Sequence, residues 1–414
     1  MRMSPCAILC LLLTLPTWSA TAQEHTFRVY DRDGLTISET TGGPRYTSEL
    51  FSYEPILVIT GDESGEGMLY NPSEFLMDEQ GNFYIYDSGA TCMTVFDREG
   101  RFSHSFGGSG AGPGEFMFLR LQSVRDGIVS VYDWNQLRTS RFSYDGALVS
   151  VTRVPPEPID TVLSFHITPD NQQLVLIRDY QRSGNDAGLE WNGMMVFDGT
   201  QKKLFEYDFT RVKTRYPGVL KSQGREQSEL FFYQYSAQPK VLYRQDIGII
   251  SSTGVEPVLE IFDPDGTRTR EIRIDLEYKP LSRQEKRQVK GFLKEYSERV
   301  TWYFKDLFLS ELECLEWPSH KAFWSDFQVD DDGYFWLCHP TQRMYEINRE
   351  FSGHRFRILS PEGEYLGDTS WPKGIYGRVS NGHLCMSYHD RDTGEFALTV
   401  YKINPIVEGL EYPD

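Results

Sequence analysis

Apolar and polar residues alternate in short runs along most of the chain, and turn-forming residues separate the runs. Between Phe75 and Phe116, four such runs are separated by the segments DEQGN, DSGA and DREG. A period of two indicates strands whose side chains alternate between the two faces of a sheet, and Gly, Asn and Asp between runs indicate tight turns. This segment therefore predicts a four-stranded antiparallel meander.

Similar units recur at a spacing of roughly 45 residues, which is typical of propeller blades. A turn of shared composition precedes the fourth run of five units, as FDREG, FSYDG, FDGTQ, FDPDG and LSPEG. The last unit has only three runs, whereas Leu57 to Asp78 aligns with Ser103 to Val124 as an outer strand, a joint and an inner strand. An N-terminal strand at about residues 56–60 is therefore expected to complete the last blade and remove the open edge. The predicted fold is all-β, a six-bladed β-propeller of four-stranded antiparallel blades.

One segment of the chain departs from the strand pattern. Within about residues 281–312, apolar side chains recur at helical spacing, and Ser282 with Glu285 forms a capping-box signature. An amphipathic helix is expected from about Arg283 to about Leu309, in an insertion between blades 4 and 5. Its apolar stripe is most simply a docking face on the propeller; a mobile lid or a partner-binding groove are the alternatives.

The N-terminal residues resemble an export signal. Arg2 precedes an apolar stretch from Ala7 to Leu15 and the small-residue pattern Ala20-Thr21-Ala22. This predicts a signal peptide over residues 1–22, cleaved after about Ala22, and a periplasmic or secreted protein. The apolar stretch is shorter than the ~20 residues of a spanning helix, so no integral membrane span is expected. Residues 23–52 are then an N-terminal extension, and residues 53–414 form the propeller.

The glycine-rich stretch FGGSGAGPGEF, residues 106–116, lies between the outer strand of the first unit and the inner strand of the second. It has no GK[ST] ending, and Pro113 stands where a helix would start, which disfavours phosphate binding. Glycines here permit positive φ and close approach of backbones. Residues Gly81 to Gly146 resemble NHL-type repeats and, more narrowly, six-bladed propellers exported by many bacteria that carry a GGxGxGPGEF joint. The resemblance implies a ring with a central channel and a binding face, but no reaction, because related propellers include binding modules, lactonases and lyases.

Charge and cysteine content narrow the function classes. A formal net charge of -18 disfavours nucleic-acid and membrane-surface binding. Four cysteines follow the predicted signal, Cys92, Cys314, Cys338 and Cys385. A Cys314–Cys338 disulfide and four buried free thiols are both compatible with their positions.

The propeller face that carries the long insertions is the expected working surface. A basic stretch between the third and fourth units contains Arg211, Lys213, Arg215, Lys221 and Arg225, which predicts either a solvated loop or an anion-binding rim. The candidate ligand-binding residues are Asp87, Asp133, Trp134, His166, Arg215, Trp317, His320, His339 and His389. The two aspartates end equivalent strands, so they also fit a framework role. The four histidines are all expected to point toward the loop-rich face.

The histidines raise the question of a metal. His339, His389 and Asp390, with Asp392, are candidate ligands for Zn or Ca, although no HxH or HExxH spacing is present. The leading hypothesis is a binding module for a protein, peptide or glycan, without catalysis. The alternative is a metal-dependent lyase or lactonase at the channel mouth.

Overall fold

The computed structural model of the chain describes residues 24–60, 67–156, 161–168, 170–179, 189–213, 216–222, 225–231, 235, 239–300, 311–340, 354–390 and 392–413. The predicted signal peptide, residues 1–22, lies outside the described residues. Among the described helices, none is long and apolar enough to cross a membrane.

The regular secondary structure of the described residues is strand apart from one helix. In chain order they are β1 (Thr26–Arg32), β2 (Leu35–Thr41), β3 (Phe51–Ile59), β4 (Pro72–Met77), β5 (Phe83–Asp87), β6 (Cys92–Phe96), β7 (Phe102–Phe106), β8 (Leu119–Arg125), β9 (Ile128–Asp133), β10 (Arg138–Ser143), β11 (Leu148–Arg153), β12 (Thr161–Ile167), β13 (Gln173–Asp179), β14 (Leu189–Phe197), β15 (Lys203–Lys213), β16 (Tyr216–Ser222), β17 (Arg225–Phe231), β18 (Lys240–Arg244), β19 (Gly248–Ser252), β20 (Val258–Phe262), β21 (Arg268–Ile274), β22 (Glu311–Glu313), β23 (Asp326–Val329), β24 (Phe335–Cys338), β25 (Arg355–Leu359), β26 (Tyr365–Ser370), β27 (Gly377–Ser380), β28 (His383–His389) and β29 (Phe396–Pro405). Helix α1 (Arg283–Val300) lies between β21 and β22.

Six antiparallel four-stranded sheets form the blades of a β-propeller, as the repeats predicted. Blades 1, 2 and 3 are β4–β7, β8–β11 and β12–β15; blades 4, 5 and 6 are β18–β21, β23–β26, and β27–β29 with β3. The first strand of each blade is innermost, next to the central channel.

Apolar side chains on both faces of each blade hold the ring together. Tyr132 of blade 2, for example, is fully buried in one cluster with Phe165 and Ile177 of blade 3. Five further clusters join the remaining neighbouring pairs, including blade 6 with blade 1. Because burial of a large apolar side chain stabilises a fold by roughly 1.5–3 kcal/mol, these interfaces account for central strands such as β5 and β24, which are buried along their whole length.

Blade 6 is completed by the N-terminal strand β3. It pairs antiparallel with β29, from Leu398 opposite Ile59 to Pro405 opposite Phe51. The strand therefore begins at Phe51, earlier than the residue of about 56 expected from the sequence, and so lies partly within the expected extension.

The residues before β3 are also ordered and run along the outside of the ring. Strands β1 and β2 form a hairpin, and β2 pairs parallel with β21, the outer strand of blade 4. The backbone N–H groups of Arg45, Tyr46 and Leu50 then donate to carbonyls of β26 in blade 5 at 2.8–3.1 Å. We call residues 24–59 the N-terminal belt, since they connect the outer edges of blades 4, 5 and 6.

Helix α1 begins with the predicted capping box. The Ser282 N–H donates to Glu285 Oε2 at 2.8 Å, and the Glu285 N–H donates to Ser282 Oγ at 3.2 Å. Val289 and Leu293 are buried, which is consistent with a docking face. The helix is described as far as Val300, and the predicted continuation to Leu309 lies outside the described residues.

The segment expected to be a basic loop is partly a sheet. Strands β16 and β17 form an antiparallel hairpin, and β16 also pairs with β22 after the helix. The loop interpretation was wrong over these residues because Pro217, Gly218 and several charged residues mask the alternation in β16.

The four cysteines outside residues 1–23 are free. Cys338 and Cys385 are buried, Cys92 is half-buried and Cys314 is exposed. Of the two possibilities that the sequence left open, the Cys314–Cys338 disulfide is therefore not formed, and the thiols are free as the other possibility predicted, but only Cys338 and Cys385 are buried.

Candidate functional site

The two ends of the propeller carry different connections. Turns between first and second strands, such as 78–82, lie on one end, which we call the turn face. Loops between second and third strands, such as 88–91, and the joints between blades, such as 107–118, lie on the other end, the loop face. Helix α1 is part of the joint between blades 4 and 5, so it lies at the loop face.

Buried aspartates fix two of the joints on the loop face. The Asp87 carboxylate accepts the backbone N–H groups of Tyr70 and Asn71 at 2.7 and 2.8 Å and also binds its own loop. In blade 2, Asp133 does the same for Met117 and Phe118 at 2.8 and 3.4 Å. Both carboxylates are engaged and buried, so these two candidate ligand-binding residues act by orienting the residues that precede each inner strand.

The glycine-rich joint is held by a buried arginine. The Arg138 guanidinium donates to the carbonyls of Ala111, Gly112 and Glu115 at 2.7–3.1 Å, and Arg138 is only 3% exposed. Gly107, at φ +81°, lies where a Cβ would fall 2.1 Å from the Phe116 ring. Close backbone packing explains the glycines, and the joint is a rigid element of the loop face.

Large apolar side chains are exposed on several joints and loops of the loop face. They belong to blades 6, 1 and 2 on the loop face, and we call them the mouth cluster: Met68, Tyr70, Met117, Phe118, Trp134, Leu137, Tyr376 and Tyr388. Each is 37–57% exposed. Trp134, a candidate from the sequence, packs against Phe118 with ring centroids 5.2 Å apart.

Exposed apolar residues elsewhere on the described surface are arranged differently. Many of them, such as Ile56, Val58, Val149 and Leu204, lie on the outermost strands of blades. Single exposed apolar side chains are ordinary on protein surfaces. The members of the mouth cluster share the loop face, and Phe118 and Trp134 pack against each other within it.

Charged side chains line the channel beneath the mouth cluster. Arg120 Nη1 donates to Glu74 Oε1 at 2.5 Å, joining the inner strands of blades 2 and 1. Tyr376 lies close enough to Arg120 to influence its pKa, which Glu74 raises most strongly. Arg378, two residues after Tyr376, lies near Glu74 and Asp331, and burial lowers its pKa.

His166 lies inside the channel but at the wrong end for the prediction. It is the penultimate residue of β12, just before the turn that leads into β13 at Gln173, so it lies toward the turn face. Its Nδ1 lies 3.4 Å from the Gln122 side-chain amide, and its ring packs against that of Tyr243 at an angle of 59°, with centroids 5.2 Å apart. Burial lowers the pKa of His166 to about 4, so it is neutral at physiological pH. The expectation that His166 faces the loop-rich end was wrong because it assumed that the strand begins near His166, whereas β12 begins at Thr161.

The turn-face end of the channel is crossed by an ion pair. Arg125 of blade 2 approaches Asp331 of blade 5, on the opposite side of the ring, at 3.8 Å. Asp331 also accepts Ser380 Oγ–H and the Asn381 N–H of blade 6 at 3.2 and 2.7 Å. Arg244 of blade 4 donates to the Val329 carbonyl at 3.2 Å. Four blades are thus connected at this end.

Trp317 and His320 line a cleft of about 270 Å³ on the loop face, beside blade 4. His320 Nε2 binds the Val255 carbonyl at 2.9 Å, and Lys286 of α1 lies over the Trp317 ring. Lys213, from the predicted basic stretch, lines the same cleft. Arg215 lies outside the described residues.

The three candidate metal ligands each have other partners. His339 Nε2 lies 3.4 Å from Asp368 Oδ1, and burial lowers its pKa despite that carboxylate. His389 stacks on Phe396 at 4.2 Å, and Asp390 accepts the N–H groups of its own turn. Within the described ranges, no three His, Cys, Asp or Glu side chains converge as they would around a metal ion.

Comparison with known proteins identifies the architecture. A family model described as a 6-bladed beta-propeller, DUF5128, matches residues 47–274. A search of curated proteins gave no match.

Solved propellers resemble the chain only remotely. A member of the DUF4221 family from Bacteroides vulgatus is 13% identical, with a TM-score of 0.48, covering 86% of this chain and 99% of that one. A protein from Bacteroides fragilis, provisionally described as exported, is 12% identical, with a TM-score of 0.47 and coverages of 84% and 94%. Virginiamycin B lyase from Staphylococcus aureus is 11% identical, with a TM-score of 0.39 and coverages of 84% and 99%.

Proposed function

The chain belongs to the DUF5128 family of six-bladed β-propellers, and on that premise we propose that it is a binding module that holds a segment of another protein on its loop face. The observation that carries this proposal is the mouth cluster, an exposed set of aromatic, methionine and leucine side chains at one end of the channel.

The composition of the cluster favours a protein over a glycan. Tyrosine, tryptophan, phenylalanine, methionine and arginine are the residues enriched at protein interfaces. The cluster contains the first four types, and Arg120 lies directly below it. Methionine offers an adaptable apolar contact rather than the flat ring surface on which a sugar stacks.

The presentation of the cluster also supports binding. The backbone of Tyr70 and that of Phe118 are each fixed by a buried aspartate, so these side chains are held outward before a partner arrives. A rigid, preformed surface loses less conformational entropy on association than a mobile one. The exposure of these apolar groups is therefore explained by a partner that covers them.

The proposal includes export of the chain to the periplasm or outside the cell, for which the export signal predicted over residues 1–22 is the support. Assignment of the repeats to the NHL type is likewise part of the proposal, supported by the glycine-rich joint.

The experiment is selection of a random peptide library displayed on phage against the purified protein. We expect enriched peptides to bind the wild type and to lose at least about tenfold in affinity on a Trp134→Ala, Tyr376→Ala double variant, since truncation of central aromatic residues at an interface typically costs 2 kcal/mol or more.

The matched control is an Ile56→Ala, Val149→Ala double variant, which removes equally exposed apolar side chains from outer strands. It should bind the peptides as the wild type does. A library that yields no enriched peptide, or peptides that bind both double variants equally, would show that the loop face is not a protein-binding surface.

A further inference from the structure

Arg378 lies close to the mouth cluster in the sequence and has no direct charge partner among the described residues. It lies on β27, the innermost strand of blade 6, and its side chain is half-buried. In the part of the chain that the structure describes, its guanidinium makes no ion pair or hydrogen bond, although Glu74 and Asp331 are near enough to act on its charge. A guanidinium carries five N–H donors, and none of those of Arg378 is taken up by a residue that the structure describes.

The two nearby carboxylates are already engaged by other donors. Glu74 accepts Arg120 Nη1–H at 2.5 Å. Asp331 accepts the Asn381 N–H at 2.7 Å and the Ser380 hydroxyl at 3.2 Å, with Arg125 at 3.8 Å. Neither carboxylate therefore neutralises Arg378 by direct contact.

Arg378 is half-buried, so its charge is partly removed from water without a direct partner among the described residues, which costs free energy of desolvation. Burial indeed lowers the pKa of Arg378, but a guanidinium remains protonated in proteins. The cost is offset when an anion enters, because a carboxylate accepts two parallel N–H bonds from the guanidinium fork.

The position of Arg378 connects it to the proposed binding surface. Tyr376, a member of the mouth cluster, precedes it by two residues and lies near Arg120. The cluster continues on blades 1 and 2 with Tyr70 and Phe118. A segment lying across the cluster therefore passes over the channel, and a side chain from its middle reaches down toward Arg378.

We infer that Arg378 binds the side-chain carboxylate of an aspartate or glutamate in the docked protein segment, so that the ligand is an apolar segment with one internal acidic residue. This inference rests on the proposed function, because it names the chemistry of the ligand held by the same face. Arg120 borders the same position and stays paired with Glu74.

The test uses the peptides enriched from the phage library described above. We expect them to combine apolar residues with an internal Asp or Glu. Replacing that residue by Gln or Asn should weaken binding to the wild type by about 10- to 100-fold, as for loss of a charged hydrogen-bond pair. On an Arg378→Met variant the same replacement should change the affinity by less than about threefold, since the partner is already gone.

Arg98→Met is the matched control, because Arg98 is an exposed arginine paired with its neighbour Glu99 on the turn face. It should preserve the full effect of the peptide substitution. If Arg378→Met fails to fold, as judged by circular dichroism and thermal midpoint, Arg378→Lys takes its place and should reduce the effect by weakening the bidentate contact.

Failure of the inference is distinguishable from failure of the proposed function. Peptides that need Trp134 and Tyr376 but tolerate loss of their acidic residue would overturn the role of Arg378 while the binding module stands. Peptides whose affinity depends on a free C-terminus, and is lost on amidation, would also overturn it. Peptides that bind the Trp134→Ala, Tyr376→Ala double variant as tightly as the wild type would overturn both the inference and the proposed function.

Discussion

Arg125 and Asp331 come from blades on opposite sides of the ring, yet their side chains approach to 3.8 Å. The two residues are separated by more than 200 positions in the sequence, and each lies at the turn-face end of an inner strand or in the adjoining turn. The pair spans the channel at its turn-face end, which fits the proposal that the partner binds at the loop face.

The contribution of this ion pair to stability is predicted to be small. Both side chains are about 40% exposed, so solvent screens the charges. Arg125→Met should lower the free energy of unfolding by less than about 1 kcal/mol. Asp331→Ala should lower it by about 1–2 kcal/mol, because it also leaves the Ser380 and Asn381 donors unpaired. Urea unfolding measures both; equal effects would contradict this division.

Substitution of Gly107 tests the packing of the joint. Gly107→Ala places a Cβ 2.1 Å from the Phe116 ring at φ +81°, whereas Gly34→Ala, at φ +82°, meets no atom within 4 Å. The backbone strain is the same at both sites, on the order of 1 kcal/mol. We expect Gly107→Ala to lower the free energy of unfolding by a further 1–3 kcal/mol or so because the ring must move. If the two variants had the same urea midpoint, the joint would accommodate the added methyl group without loss of stability.

A buried aspartate is predicted to give an unusual pH dependence. Burial raises the pKa of Asp330 to about 6, against the hydrogen bonds donated by Tyr412, Trp336 and Tyr334. Because the folded-state pKa exceeds the unfolded value of about 4, folding takes up a proton in this range, and the stability contributed by Asp330 rises as pH falls from about 7 to about 4. As the pH falls over that range, the wild type should gain on the order of 2 kcal/mol in free energy of unfolding relative to Asp330→Asn.

The measurement is a series of urea titrations between pH 7.5 and 4.5. Glu54→Gln, which changes an exposed carboxyl on β3, is the control and should leave the pH profile unchanged. A wild-type minus Asp330→Asn difference that stays constant, or that falls at low pH, would contradict the predicted pKa.

Cysteine reactivity should follow burial. The thiolate is the reactive form, and burial raises the pKa of Cys338 and Cys385 to about 12. N-ethylmaleimide should therefore modify the exposed Cys314 first and Cys92 more slowly. Cys338 and Cys385 should react only after unfolding in urea, as followed by peptide mass spectrometry. Labelling of Cys385 in the native protein at the rate of Cys314 would contradict the structure.

The blades were predictable from sequence because each blade repeats both its alternation and its turn chemistry. The start of α1 was predictable for the same kind of reason, since Ser282 and Glu285 bind each other locally. His166 was misplaced because β12 contains a bulge between Val162 and Ser164 and begins at Thr161, which the pattern alone does not reveal.

The candidate site was less accessible to sequence reasoning. Trp134 was identified from the sequence. The other members of the mouth cluster were not, because their exposure depends on the direction in which each joint leaves its blade. Arg378 was missed because its lack of a partner depends on how Glu74 of blade 1 and Asp331 of blade 5 are occupied. Only the three-dimensional arrangement of three blades supplies that information.

The N-terminal belt has a consequence for how the chain reaches its native state. The belt pairs with β21, contacts β26 and ends in β29, so residues near the start of the chain find their partners more than 200 positions later, and β3 finds its partner only when β29 is present. Such contacts between distant positions slow folding, because the entropy of closing a long loop is lost before the contact forms. Blades 1 to 3 can assemble as the chain emerges from the ribosome, but the ring cannot close until β29 has been synthesised. The final, cooperative step of folding is therefore expected to be the capture of the first strands by the last ones.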